Sequence, residues 1–107
     1  MVRRLQRTLR RSARIQAAVS EAHHAAGEPA GALIIWNGDW IRSSGEEGKG
    51  LAGVRQAIAV EVAFAPEACR AQPVHGLVLI SMNDAPGSPR VVLGAGDWRW
   101  SDLLLAR

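Results

Sequence analysis

Apolar and polar positions alternate along this chain with two periods. From Leu5 to Ala26 the residues Leu5, Thr8, Leu9, Ser12, Ile15, Val19, Ala22 and Ala26 recur at steps of three and four, the spacing of one amphipathic helix face. This predicts a single helix over 3–26, with Gly27 as its C′ residue and Pro29 just beyond. The stripe is thin before Ser12 and fuller after it. The second half is therefore expected to dock on the body, and the first half to fray or project.

The period then changes. Ala32–Trp36 is apolar and partly β-branched, and Asn37-Gly38 marks a tight type I′ turn, which needs φ > 0 at both central residues. Trp40–Ser43 would return as the second strand of a hairpin over 31–44. This register pairs Trp36 with Asp39, Ile35 with Trp40, Ile34 with Ile41 and Leu33 with Arg42. Ser44 and Glu47 have capping-box spacing, and Leu51, Val54, Ile58, Glu61, Val62 and Ala65 give a second helix. Val60–Phe64 also alternates, so its end stays open. Pro66 interrupts, and Pro66–Cys69 fits a short turn with proline at N1. Val74–Met82 is apolar on both faces, as in a strand at the centre of a sheet. Asn83–Pro89 is a loop. Arg90–Ala95 is a strand that makes a second hairpin, and Trp98-Arg99-Trp100 extends it. Ser101 would cap a last turn over Asp102–Ala106.

The order α-β-β-α-β-β is an α+β pattern: one antiparallel sheet of about four strands, with two main helices on one face. At 107 residues, 48% hydrophobic and 21% charged, the composition is that of one globular domain, neither disordered nor collagen-like. No apolar run reaches the ~18–20 residues of a membrane span. Cys69 is the one cysteine, which excludes an internal disulfide and a CxxC metal site.

Charge divides the chain. The formal net charge is +3, yet residues 1–14 hold Arg3, Arg4, Arg7, Arg10, Arg11 and Arg14 with no acid. The remaining seven basic and ten acidic residues leave the body at −3. The reading is an Arg-rich arm over 1–14 on a single domain over 15–107. The arm would take a polyanion or nucleic acid through its arginines, with steep salt dependence. No aromatic interleaves it for base stacking. The same composition fits a transit peptide or a solvated face.

Four tryptophans fall in two pairs, Trp36/Trp40 and Trp98/Trp100. On a strand, Trp98 and Trp100 share a face with Arg99 opposite. Facing outward they would form a binding platform; facing inward they would close a core that has one Phe and no Tyr. Adjacent His23 and His24 point about 100° apart on a helix, too far to ligate one metal readily. Cys69 and His75 carry the types of a thiol–imidazole pair but lack a third orienting group. Gly94-Ala95-Gly96 lacks a dinucleotide fingerprint, and Gly45, Gly48 and Gly50 lack the Lys-Ser/Thr of a phosphate loop. No metal, cofactor or catalytic residue is expected.

The middle of the chain resembles the C-terminal domain of the TonB/TolA energy transducers. The likeness covers about 15–82: a leading helix, a hairpin over Gly31–Arg42, Ser43-Ser44-Gly45, the helix from Leu51 to Ile58, Phe64-Ala65-Pro66, and the strand Val74–Ile80. Residues 90–107 have no counterpart in it. The resemblance implies a non-enzymatic domain, periplasmic as an excised transducer piece and cytoplasmic otherwise. Such a domain binds a protein partner by strand addition to a sheet edge, and the same edge would serve a homodimer. Trp98, Arg99 and Trp100, with Trp36 and Trp40, are the residues expected to meet the partner.

Overall fold

The computed structural model describes residues 1–26, 32–41 and 50–104. The chain opens with two helices rather than one: α1 (Val2–Arg11) and α2 (Ala13–Ala26). The break is at Ser12, which leaves the helical region at φ −101°, ψ 114°. Its hydroxyl then accepts the Ile15 N–H at 3.2 Å, so a serine inside the expected helix acts as the N-cap of a new one.

α1 does not project. Leu5 and Leu9, four residues apart, are fully buried in the main core. Two ties flank them. Arg4 lies 2.9 Å from Glu61. On the other side, Arg10 donates from Nε to the Ser81 carbonyl at 3.0 Å and from a terminal nitrogen to the Ser81 hydroxyl at 2.7 Å. The expected arm is a docked helix, because two leucines suffice when flanking arginines find acceptors.

After β1 (Ala32–Trp36) come α3 (Gly50–Ala63), α4 (Glu67–Arg70), β2 (Pro73–Ser81), β3 (Arg90–Arg99) and a 3-10 helix, Trp100–Leu104. Pro66 stands just before α4, at its N-cap rather than at N1. The 3-10 helix is capped by Asp102, not Ser101: the Arg99 N–H donates to the Asp102 carboxylate at 2.9 Å.

The described strands form a three-stranded mixed sheet of order β1-β3-β2. β2 pairs antiparallel with β3, as the hairpin pattern requires. β1 runs parallel to β3, with Ala32 opposite Arg90 and Ile34 opposite Val92. The four-stranded antiparallel sheet is thereby corrected. The Asn37-Gly38 turn forms, but one residue wider than the type I′ register. Trp36 faces Trp40 in an isolated bridge, and Gly38 alone in the turn takes positive φ, at 109°. Asn37 stays at negative φ, so the loop needs three residues. The expected partner Arg42, the cap at Ser44 and Glu47, and the stop at Gly27 and Pro29 lie outside the described residues.

The core forms between the helices and one sheet face. Leu5, Leu9, Val19, Val54, Ile58 and Val62 come from the helices; Ile35, Trp36, Ile80, Val91 and Leu93 come from the sheet. A register shift between Ile34 and Trp36 turns two consecutive β1 side chains, Ile35 and Trp36, inward. The central strand is β3 and not β2: Val91, Val92 and Leu93 are all buried.

Candidate functional site

The indoles face inward. Trp36, Trp98 and Trp100 are 2%, 4% and 3% exposed, so no outward tryptophan platform exists. Trp98 donates its N–H to the Gly76 carbonyl at 2.8 Å. Trp40, half-buried, donates to the Leu103 carbonyl at 3.3 Å. The strand expected to carry both Trp98 and Trp100 ends at Arg99, and Trp100 opens the 3-10 helix; the two rings meet inside the core, not on one outward strand face. Arg99 points outward and donates to the Ala71 carbonyl at 3.1 Å, which ties the end of β3 to the end of α4.

What the structure does leave open is β2. Its sequence, Pro-Val-His-Gly-Leu-Val-Leu-Ile-Ser, holds no Asp, Glu, Lys or Arg, and it reads as an interior strand. Yet among the described residues only β3 pairs with it. Natural edges are usually blunted by charge, proline or brevity. Here the blunting is confined to the two ends: Pro73 and a register shift at His75/Gly76 at one, and at the other Arg10 of α1, which holds the Ser81 carbonyl and hydroxyl.

The sheet face turned away from the helix-side core also carries exposed aliphatic side chains. Cross-strand register aligns Ile34, Val92 and Leu79 in one row across the three strands. Ile34 is 53% and Leu79 42% exposed, with Leu77 beside them at 61%. Val92, centred in the row, is buried but is no member of the helix-side core. Exposed aliphatic side chains gathered on one face mark an interaction surface more often than chance. Sequence reasoning missed this site because it set β2 in the middle of the sheet.

The other candidates separate. Cys69 is half-buried in α4, while His75 projects from β2 and lies against Asp97, its cross-strand neighbour, at 2.5 Å. Asp97 lies on β3. Among the described residues no group of three His, Cys, Asp or Glu side chains could hold a metal ion. An open polar recess of about 390 Å³ lies at the β2–β3 connection. Its polar groups are engaged in shaping the loop: Asn83 accepts the Ala85 N–H at 2.8 Å, and the Ser88 hydroxyl donates to the Asn83 carbonyl at 3.0 Å. No described helix is long and apolar enough to cross a membrane.

No protein-family model, curated protein or solved structure matches the chain.

Proposed function

We propose that the protein is a non-catalytic protein-interaction module that takes an extended segment of a partner onto the outer edge of β2. The observation that carries this is the conflict between the sequence of β2 and its place. Nine residues composed like a buried strand stand at the margin of the sheet. A strand added there would pair with outward backbone groups of β2 between Gly76 and Ser81, the residues whose own carbonyls are held by Trp98 and Arg10. Its own side chains would reach Leu77 and Leu79, giving specificity alongside main-chain affinity. The likeness to the transducer domains supports the same mode of binding. The tryptophans serve this function indirectly, by holding the end of β3 and, through Gly76, the bulged part of β2.

The test uses a peptide with the Pro73–Ser81 sequence, made soluble by terminal lysines, and hydrogen exchange on the full chain. The outward amides of β2 should exchange fast in the dilute chain and slow down when the peptide is added. The double variant Leu77→Lys, Leu79→Lys should lose that protection and keep its thermal midpoint. Amides already slow throughout β2 in the dilute chain would show a closed edge and overturn the reading. Peptide binding untouched by the two lysines would place the contact elsewhere.

A further inference from the structure

We propose that the outer ridge of α1, formed by Arg3, Arg7 and Arg11 and joined by Arg14 at the start of α2, is a binding site for the phosphate backbone of a nucleic acid. This site is separate from the β2 edge and does not depend on it.

The structure divides the six N-terminal arginines by task. Arg4 and Arg10 sit on the two flanks of α1 and are engaged with Glu61, Ser81 and Asp84. Arg3, Arg7, Arg11 and Arg14 are exposed. Among the described residues none of these four has a hydrogen bond or an ion pair. Arg3, Arg7 and Arg11 follow at i, i+4 and i+8, on the side of the helix opposite Leu5 and Leu9. Their Cα atoms therefore rise in one line by about 6 Å per step. That interval is close to the axial rise of two phosphates of one duplex strand, about 3.4 Å each along the helix axis.

The ridge is costly for the helix that bears it. Like charges at i and i+4 repel. The first turn of α1 holds no acid, so Arg3 sits at the positive end of the helix dipole with nothing to offset it. Among the described residues no partner compensates these costs, whereas a polyanion would. The mounting is rigid as well, because the buried leucines and the two engaged arginines fix the rotation of the helix. The Cα positions of the arginines are therefore set in a row, and a guanidinium on each can take a phosphate bidentately. The attraction is local, since the chain beyond residue 14 carries a formal net charge of −3.

A lipid surface fits less well. A helix that binds a bilayer inserts its apolar face, and α1 keeps Leu5 and Leu9 inside the core.

The experiment is fluorescence anisotropy of a labelled mixed-sequence DNA, single- and double-stranded, titrated with the full chain over a range of salt. Four neutralised phosphates give a slope of log K against log[salt] of about −3.6 on duplex and about −2.8 on single strand. Arg7→Gln and Arg11→Gln should each shrink the slope by about 1 with the thermal midpoint unchanged. The quadruple variant Arg3→Gln, Arg7→Gln, Arg11→Gln, Arg14→Gln should not bind. Leu77→Lys, Leu79→Lys should bind DNA as the parent does, which separates this site from the strand edge. No binding at low salt overturns the proposal. Full binding by the quadruple variant does the same, as does capture of the chain by phosphatidylserine vesicles but not by DNA.

Discussion

Trp36 and Trp98 meet across the parallel pair β1–β3, with ring centroids 5.0 Å apart and planes inclined by 52°. Trp100 closes on Trp98 at the same distance, edge-on at 69°. The three indoles thus join the edge strand β1, the central strand and the 3-10 helix. Trp98→Ala should destabilise the fold by about 3–5 kcal/mol, the usual cost of emptying a large aromatic site. Trp98→Phe keeps much of the packing but removes the donor to Gly76, at about 1–3 kcal/mol. Urea titrations should rank the variants in that order. An unchanged midpoint for the alanine variant would contradict a structural role.

Gly94 and Gly53 should respond in opposite directions to alanine. A Cβ at Gly94 would lie 2.5 Å from the Gly76 carbonyl oxygen and 2.8 Å from the Leu77 Cα. Both are backbone atoms, so β2 would have to move from β3, at roughly 1–3 kcal/mol. A Cβ at Gly53, on the exposed side of α3, meets nothing within 4 Å. Gly53→Ala should therefore stabilise by about 0.4–1 kcal/mol through the unfolded chain. Calorimetry on the two variants tests the close approach of the strands directly.

Arg10 and Asp84 form an ion pair at 3.1 Å, but they are unequal. The Arg10 guanidinium also holds the Ser81 carbonyl and hydroxyl, whereas the Asp84 side chain is 94% exposed. Arg10→Ala should cost about 1–3 kcal/mol. Asp84→Ala should fall within about 0.5 kcal/mol, as is usual for an exposed pair. Equal losses in chemical denaturation would mean that the ion pair, and not the serine contacts, fastens α1.

Ile34 and Leu79 offer a test of the sheet face turned away from the helix-side core. Ile34→Thr with Leu79→Thr keeps strand propensity and removes half-exposed apolar surface. The pair should change stability by no more than about 1 kcal/mol and reduce light scattering at high protein concentration. A collapse of the melting transition would show that the row packs against something within the chain.

Much of the chain was legible from local pattern. The loop Asn83–Pro89 separates β2 from β3 as its punctuation requires, and the antiparallel pairing of those strands follows from their adjacency. The helix from Gly50 runs on through Val62, so helical period prevails over the short alternation at Val60–Phe64. What was not legible is non-local. Nothing near Ala32–Trp36 shows that it pairs with Arg90–Leu93, or in parallel. The same ignorance put β2 at the centre: an apolar run tells how much a strand can bury, not which neighbour it has. α1 was misread because its stripe holds only Leu5 and Leu9, and its docking also depends on Glu61 and Ser81 far along the chain. For the candidate site, Leu77 and Leu79 were legible as apolar but not as surface.

The parallel pairing of Ile34 with Val92 also governs the order in which the chain can assemble. The partners are 58 positions apart, whereas β2 and β3 are joined by one short loop. Closing the longer span loses more chain entropy before any contact compensates it, so the hairpin should zip first and β1 dock last. Until then β3 has an unclaimed margin of its own, rich in valine and leucine. Refolding yield should therefore fall as protein concentration rises, because a neighbouring molecule can occupy that margin before the chain's own first strand arrives.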